Sequence, residues 1–94
     1  MPHEPIIYQV EDLEKAREFL SKVPEPIIIT NAIGSTRYYG MLILDYIFKT
    51  LTTEFPQITK IIVDVGDDHP ALFTALKLNY QHILYKGRFF AKVP

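Results

Sequence analysis

The sequence contains no cysteine. Disulfides, thiol catalysis, zinc–thiolate sites and iron–sulfur clusters are therefore excluded. A chain without disulfides fits the reducing cytoplasm, and we expect the protein to be located there. Neither sign of charge dominates, because ten Lys and Arg residues stand against eleven Asp and Glu residues, a formal net charge of -1. Without an excess or a cluster of basic residues, we expect no nucleic-acid partner.

Long apolar runs and glycine-rich motifs are missing too. The longest apolar stretch, residues 41–48, is interrupted by Asp45 and is far too short to span a bilayer. The first ten residues, MPHEPIIYQV, lack a basic region followed by an apolar one, so we expect neither a signal peptide nor a membrane partner. The four glycines form neither G-x-G-x-x-G nor G-x-x-x-x-G-K, and no cofactor is predicted.

What the sequence does contain is an alternation of strand and helix patterns. Its 94 residues, 48% of them hydrophobic, suit a single domain over residues 1–94. Strands are predicted at residues 6–10, 27–30, 59–65 and 82–86, and helices at 11–22, 37–54 and 70–78. The tail RFFAKVP adds an edge strand or packs as an extended arm. The order βαβαβαβ predicts an α/β fold with a mostly parallel four-stranded sheet, helices on both faces and strand order 2-1-3-4.

Polar residues follow the predicted strands, where open α/β sheets place their ligand crevices. The candidate ligand-binding residues are Asn31, Ser35, Asp64, Asp67, Asp68, His69 and Lys86. Each also has a structural explanation as a helix cap, a turn residue or a strand residue. The three aspartates could hold a divalent cation, but they lack the spacing of any calcium loop, so no metal is assigned. His69 has no identifiable nucleophile beside it, and a Schiff-base role for Lys86 would require burial.

The predicted second helix carries more apolar residues than one core face needs. At about 100° per residue, the face expected to pack on the sheet contains Gly40, Ile43, Leu44, Ile47 and Leu51. The apolar residues expected on or beside the outer face are Tyr38, Met41, Leu42 and Phe48. We interpret these four as the interface of a homodimer or of a complex with another protein. The alternative is that the N-terminal arm or the tail 88–94 covers them.

Residues 26–87 resemble a family of small, uncharacterised bacterial α/β proteins. The matching features are the strand Ile27-Ile28-Ile29, the glycine-containing loop 31–34, the aromatic Tyr38-Tyr39-Gly40, the turn Asp64-Val65-Gly66-Asp67 and the Ala- and Leu-rich helix 71–78. Where such relatives often have a glycine before the last strand, this chain has Asn79-Tyr80, and a left-handed conformation at Asn79 could serve the same purpose. The resemblance implies a fold without an assigned activity.

The topology is also similar to that of STAS domains, the anti-sigma-factor antagonist fold, or to half of a flavodoxin-like fold. Ser35, in the loop Ile33-Gly34-Ser35-Thr36-Arg37, would then occupy the phosphoacceptor position, although the aspartate that precedes it in those domains is absent. The resemblance implies a partner-switching role.

The sequence therefore favours a non-catalytic protein-interaction or regulatory module, most simply a dimer. The alternative is a small enzyme or metal-dependent ligand-binding protein that uses the acidic loop after the third strand. No complete catalytic constellation is present to support that alternative.

Overall fold

The strands of the sheet form where β-branched and other aliphatic residues run together. The computed structural model describes residues 5–90, and in that range it contains five strands and four helices. In chain order these are β1 (Ile6–Val10), α1 (Leu13–Lys22), β2 (Ile27–Asn31), α2 (Ser35–Tyr39), α3 (Met41–Glu54), β3 (Ile58–Gly66), α4 (His69–Lys77), β4 (Ile83–Tyr85) and β5 (Arg88–Phe89). The α/β class is confirmed, and the four predicted strands agree with β1 to β4 to within one residue at each end.

The five strands lie in the sheet in the order in which they occur in the chain, β1-β2-β3-β4-β5. The first four are parallel, and β5 pairs antiparallel with β4 through a turn at Lys86 and Gly87. Both turn residues have positive φ, 51° and 76°, as a type I′ hairpin requires. The mostly parallel sheet and an edge strand from the tail were predicted. The order 2-1-3-4 is wrong, because β1 lies at the edge of the sheet instead of inside it.

All the described helices lie on one side of the sheet. A sequential order of parallel strands with right-handed crossovers places each connecting helix on the same face. In agreement, α3 contacts both α1 and α4. Along the strands, Ile29 and Val63 belong to the core, whereas their neighbours Ile28 and Ile62 do not. The smallest dimension of the molecule, 20 Å, fits one sheet and one helical layer at ~10 Å each. The prediction of helices on both faces is therefore wrong.

The predicted second helix is divided in two at Gly40. Its φ of 85° lies outside the helical region, so α2 ends there and α3 starts with a new orientation. The core face of α3 consists of Met41, Leu44, Ile47, Phe48 and Leu51. Compared with the prediction, α3 is rotated by about 50°. Met41 and Phe48, predicted to lie at an interface, are buried in the core, while Ile43, predicted to be in the core, is exposed.

The ends of the other helices follow their capping residues. Asp12 accepts a hydrogen bond from the backbone amide of Lys15 at 2.8 Å, and Asp68 accepts one from that of Ala71 at 3.2 Å. After α4, Asn79 has the left-handed conformation expected of it, with a φ of 66°. Residues 1–4 and 91–94 lie outside the described part, so the single domain 1–94 and the covering role of the arm and the tail end stay predictions.

Candidate functional site

Two of the predicted site residues, Asn31 and Ser35, lie in a buried hydrogen-bond network that joins β2, β3 and α2. The Asn31 side chain accepts a hydrogen bond from the backbone amide of Asp64 at 2.8 Å and donates one to the backbone carbonyl of Asp64 at 2.8 Å. It thus makes the pair of backbone hydrogen bonds that a neighbouring strand would make. It also donates to Ser35 Oγ at 2.8 Å and to the Ala32 carbonyl at 3.1 Å. Because Asn31 is 1% exposed, these bonds hold the carboxyl ends of β2 and β3 together and leave no amide group for a ligand.

Ser35, the residue that the STAS resemblance places at a phosphoacceptor position, has no available hydroxyl. Its Oγ donates to the Ala32 carbonyl at 2.7 Å and accepts from Asn31 at 2.8 Å. The residue is also buried at the start of α2. A kinase would have to unfold this turn to reach the hydroxyl.

A crevice of about 310 Å³ lies beside this network, at the carboxyl ends of the inner strands. It is lined by Ile33, Gly34, Thr36, Arg37, Val65, Gly66, Asp67, Asp68, Lys86 and Gly87. Three of the predicted residues, Asp67, Asp68 and Lys86, therefore share one depression. Arg37 Nη1 lies 2.9 Å from Asp67 Oδ1 in an ion pair that is exposed to solvent. Thr36 and Arg37 come into the site because α2 follows β2 after only three loop residues.

The carboxylate of Asp68 is already engaged at the base of the crevice. It accepts from Thr36 Oγ1 at 2.9 Å and caps α4 through the amide of Ala71. This pair fastens α2 to the start of α4, and both residues are buried. A hydroxyl nucleophile needs an adjacent general base, as in the pairing of a serine with a histidine or of a threonine with an N-terminal amine. Thr36 instead donates to a carboxylate that also caps α4, so its hydrogen bond has a structural role.

His69 and Lys86 contact Tyr85 and not a reacting centre. The His69 ring is hydrogen-bonded to the Tyr85 hydroxyl, and the two rings lie 5.1 Å apart. Lys86 Nζ lies 5.3 Å from the centre of the Tyr85 ring, within cation–π distance, and Lys86 is exposed. Lys86 is thus not in the buried setting that a Schiff-base lysine requires.

The predicted acidic cluster is divided among separate structural roles. Asp64 accepts from the backbone amide of Gly66 at 2.9 Å, Asp67 pairs with Arg37, and Asp68 caps α4. Among residues 5–90, no group of three or more His, Asp or Glu side chains is placed to hold a metal ion. The cation site considered for these aspartates therefore has no geometric basis in this part of the chain.

A second feature is an apolar surface on the solvent side of α2 and α3, here called the helix surface. It consists of Ile33, Tyr38, Tyr39, Leu42, Ile43 and Tyr46. Tyr38 is 82% exposed, Ile33 77% and Leu42 68%, and the rings of Tyr38 and Tyr39 meet edge to face at 4.9 Å. Of the four predicted interface residues, only Tyr38 and Leu42 lie here. Ile33, Tyr39, Ile43 and Tyr46 were missed. Ile33 lies in the loop before α2 and Tyr39 ends α2, whereas Ile43 and Tyr46 point outward because α3 is rotated relative to the predicted helix.

The side of α3 towards α4 carries a polar contact next to the core. Tyr80 Oη donates to Asp45 Oδ1 at 2.6 Å, and Lys49 Nζ lies 3.1 Å from Asp45 Oδ2. Burial, and after it the hydrogen bond to the Asp45 carboxylate, raise the pKa of the Tyr80 phenol above its usual value. This contact fixes α3 against the end of α4, and it leaves the helix surface exposed.

Comparison with known proteins identifies the family. The chain is 52% identical over 82 residues to the uncharacterized protein RP547 of Rickettsia prowazekii (strain Madrid E), a match that covers 86% of this chain and 77% of that protein. The chain belongs to the same family as this bacterial protein. The expected resemblance to small uncharacterised bacterial proteins is thereby confirmed, and the name of the relative assigns no activity.

The other comparisons add no function. No family model matches the chain, and no solved structure matches it, so the STAS resemblance gains no support. Within residues 5–90, none of the helices has the length and apolar character needed to cross a membrane.

Proposed function

We propose that the protein is a non-catalytic protein-interaction module whose helix surface binds another protein chain. The observation that carries the proposal is the exposure of six large apolar side chains on or beside two consecutive helices. Soluble monomers rarely expose large contiguous apolar patches, and those that do generally use them for binding.

The composition of the helix surface supports this role. Three of its six residues, Tyr38, Tyr39 and Tyr46, are tyrosines, which combine a large apolar ring with a hydroxyl and are enriched in interface cores. The fold does not need these side chains, because α3 already contributes five residues to the core on its opposite side. A partner would remove them from water.

The polar groups of the neighbouring edge support a non-catalytic reading. Asn31, Ser35, Thr36 and Asp68 are buried and engaged in hydrogen bonds within the chain. In residues 5–90, every fully buried side-chain nitrogen and oxygen has a hydrogen-bond partner. A catalytic or ligand-binding group would be expected to retain unused hydrogen-bonding capacity that is directed at its substrate.

The occupant that we favour for the helix surface is a different protein, present in the same cell. The other occupant is a second copy of this chain, in the homodimer predicted from the sequence. A cytoplasmic location and a regulatory role stay predictions of the sequence.

Affinity capture with a matched variant tests the proposal. Leu42→Asp places a charge in the middle of the helix surface without touching the core, and Phe73→Asp does the same at an exposed apolar residue of α4. We expect a protein that is retained by the wild type and by Phe73→Asp but lost with Leu42→Asp, and that binds the purified wild type in calorimetry. Equal retention by all three would refute the proposed surface.

Ligand binding in the crevice is the alternative function. Its support is the position of the crevice at the carboxyl ends of parallel strands, together with the exposed cations Arg37 and Lys86 on its lining. A ligand that raises the melting temperature of the wild type but not that of a Lys86→Ala variant would favour this alternative.

A further inference from the structure

The face of the sheet opposite the helices carries its own apolar residues, here called the sheet stripe. They are Ile7, Ile28, Ile62, Leu84 and Phe89, one from each strand. None of them belongs to the core or packs against it, and Ile7 and Phe89 are each 60% exposed. The pairing of the strands makes the stripe diagonal, since Ile7 and Ile28 lie level with Lys60, whereas Leu84 and Phe89 lie level with Asp64.

An open face is unusual for a sheet of this kind. Parallel sheets are almost always covered on both faces, and their strands are apolar on both sides for that reason. The stripe shows that the strands of this protein retain that two-sided character, whereas the helices in residues 5–90 cover one side alone. We therefore expect another layer of protein on the sheet stripe.

Two charged residues lie on opposite sides of the stripe. Lys60 and Asp64 project from β3 on the open face, two positions before and two positions after Ile62. At ~3.3 Å per residue, their Cα atoms are about 13 Å apart with the stripe between them. Neither forms an ion pair among the described residues. The stripe thus has a positive flank and a negative flank.

We propose that the sheet stripe binds a second copy of this chain about a two-fold axis that runs along the stripe. Such an axis lays each stripe on its equivalent and exchanges the two flanks. The Lys60 side of each copy then meets the Asp64 side of the other, and two equivalent charge pairs border the apolar contact. A copy of this chain is the partner whose charges complement this face by symmetry alone.

The charges also select the orientation of the two sheets. A two-fold axis across the stripe would set the Lys60 flank against itself and the Asp64 flank against itself, and like charges would repel. The stripe crosses five strands spaced by ~4.8 Å while rising ~13 Å, so it runs at about 55° to the strands. An axis along it makes the strands of the two copies cross at about 70°, closer to orthogonal than to aligned sheet packing.

This interface lies on the side of the molecule opposite the helix surface and does not depend on the function proposed above. A dimer through the sheet stripe would leave both helix surfaces exposed for partner proteins. The two surfaces can therefore be tested separately.

Sedimentation of the full chain is the first test. We expect the wild type to be dimeric at high micromolar concentration. Ile7→Lys, at an exposed edge position, should be folded and monomeric, because the axis would place the introduced lysine against its equivalent. Leu42→Lys, on the helix surface, should remain dimeric. A monomeric wild type would overturn the proposal and leave the face to a different protein. A dimer lost with Leu42→Lys but not with Ile7→Lys would also overturn it.

Charge exchange tests the orientation. Lys60→Glu should weaken the dimer about tenfold or more, because the introduced glutamate would face Asp64 of the other copy. The double variant Lys60→Glu, Asp64→Lys should dimerise again, because the two charges are then opposite once more. Lys77→Glu, at an exposed position of α4, is the control with the same change in net charge. Circular dichroism checks each fold, because Asp64 also bonds the amide of Gly66. A failure of the double variant to recover dimerisation while folded would rule out the proposed axis.

Chemical cross-linking gives an independent readout because the chain has no cysteine. Ile62→Cys lies on the proposed axis, so a short bis-maleimide should join two copies efficiently. Thr53→Cys, exposed on α3, is the matched control and should give monomer. Equal cross-linking at both positions would contradict the proposal.

Discussion

Replacement of Asn31 by alanine should destabilise the protein strongly without changing its surface. The Asn31 side chain substitutes for a strand at the point where β2 ends, because it bonds both the amide and the carbonyl of Asp64. It also orients Ser35 at the start of α2. Alanine would leave these groups without partners in a place where the native side chain is 1% exposed.

The magnitude follows from the number of bonds. The Asn31 side chain makes four hydrogen bonds, but its NH₂ group has two hydrogens, so we count three, two to Asp64 and one to Ser35, at ~1 kcal/mol each. A buried group left without a partner adds to the loss. We expect the free energy of unfolding to fall by about 3–4 kcal/mol. A domain of this length has roughly 5–14 kcal/mol in total, so Asn31→Ala should still fold.

Urea unfolding followed by circular dichroism measures this change. With a slope of ~1–1.5 kcal/mol per molar urea, the midpoint should fall by about 2–4 M while the slope stays the same. Asn31→Asp should be destabilised at neutral pH as well, because a carboxylate cannot donate to the Asp64 carbonyl. An unchanged midpoint in Asn31→Ala would refute the bridging role of this side chain.

The pH dependence of Asn31→Asp supplies a further check on the same contact. Burial raises the folded-state pKa of an introduced carboxyl group, so its protonated form stabilises the fold below the unfolded-state pKa and that stability is lost as the pH rises. The deficit relative to wild type should therefore shrink in acid. Gln81→Glu, at an exposed amide, is the control and should show no such recovery.

Three further outcomes test the remaining contacts. Ile47→Asp should prevent folding, because it buries an unpaired carboxylate in the core at a cost of several kcal/mol, and a native circular dichroism spectrum would contradict the facing of α3. Asp67→Asn should leave the fold intact and lower the free energy of unfolding by less than ~1 kcal/mol, since it breaks the exposed ion pair with Arg37. Calorimetry with magnesium, calcium and manganese should give no heat of binding with wild type or variant. Tyr80→Phe should cost about 1–2 kcal/mol at neutral pH through loss of the bond to Asp45. Because the folded-state pKa of Tyr80 is raised, wild type should lose stability above pH ~10 more steeply than Tyr80→Phe. Parallel alkaline profiles would contradict this, because they would mean that the pKa of Tyr80 is the same in the folded and unfolded chains.

The strands and the helix ends could be predicted from the sequence because their determinants are local. The β-branched runs at 27–30 and 59–65 and the capping residue Asp68 act within a few positions of where they occur. Asn79 likewise adopts the left-handed conformation that its place after α4 required. These features needed no knowledge of the rest of the chain.

The strand order could not be predicted because it depends on the side to which each crossover turns. Burial of β2 and β3 is compatible both with β1 at the edge and with β1 inside the sheet. The exposure of Ile6 and Ile7 in β1 distinguishes the two arrangements, because a strand inside the sheet would have both residues buried. Helices on both faces followed from the wrong order, so that error has the same origin.

The error in the second helix has a different physical cause. The prediction treats residues 37–54 as one continuous helix, but Gly40 at a φ of 85° interrupts it, and α3 is rotated about its own axis relative to that helix. This rotation exchanged Met41 and Phe48 with Ile43 between core and surface. The candidate site residues were placed at the correct edge of the sheet, yet their hydrogen bonds within the chain depend on contacts between Asn31 and Asp64, which are 33 positions apart.

The measurement that tests the proposed function most directly is photo-cross-linking inside living cells. A photoreactive amino acid at position 42 lies in the helix surface, and the same group at position 53, exposed about three turns further along α3, serves as the control. An interaction module should give a discrete adduct with a second protein from position 42 and none from position 53. A folded, expressed protein that gives no adduct from position 42, or the same adducts from both positions, would contradict the account.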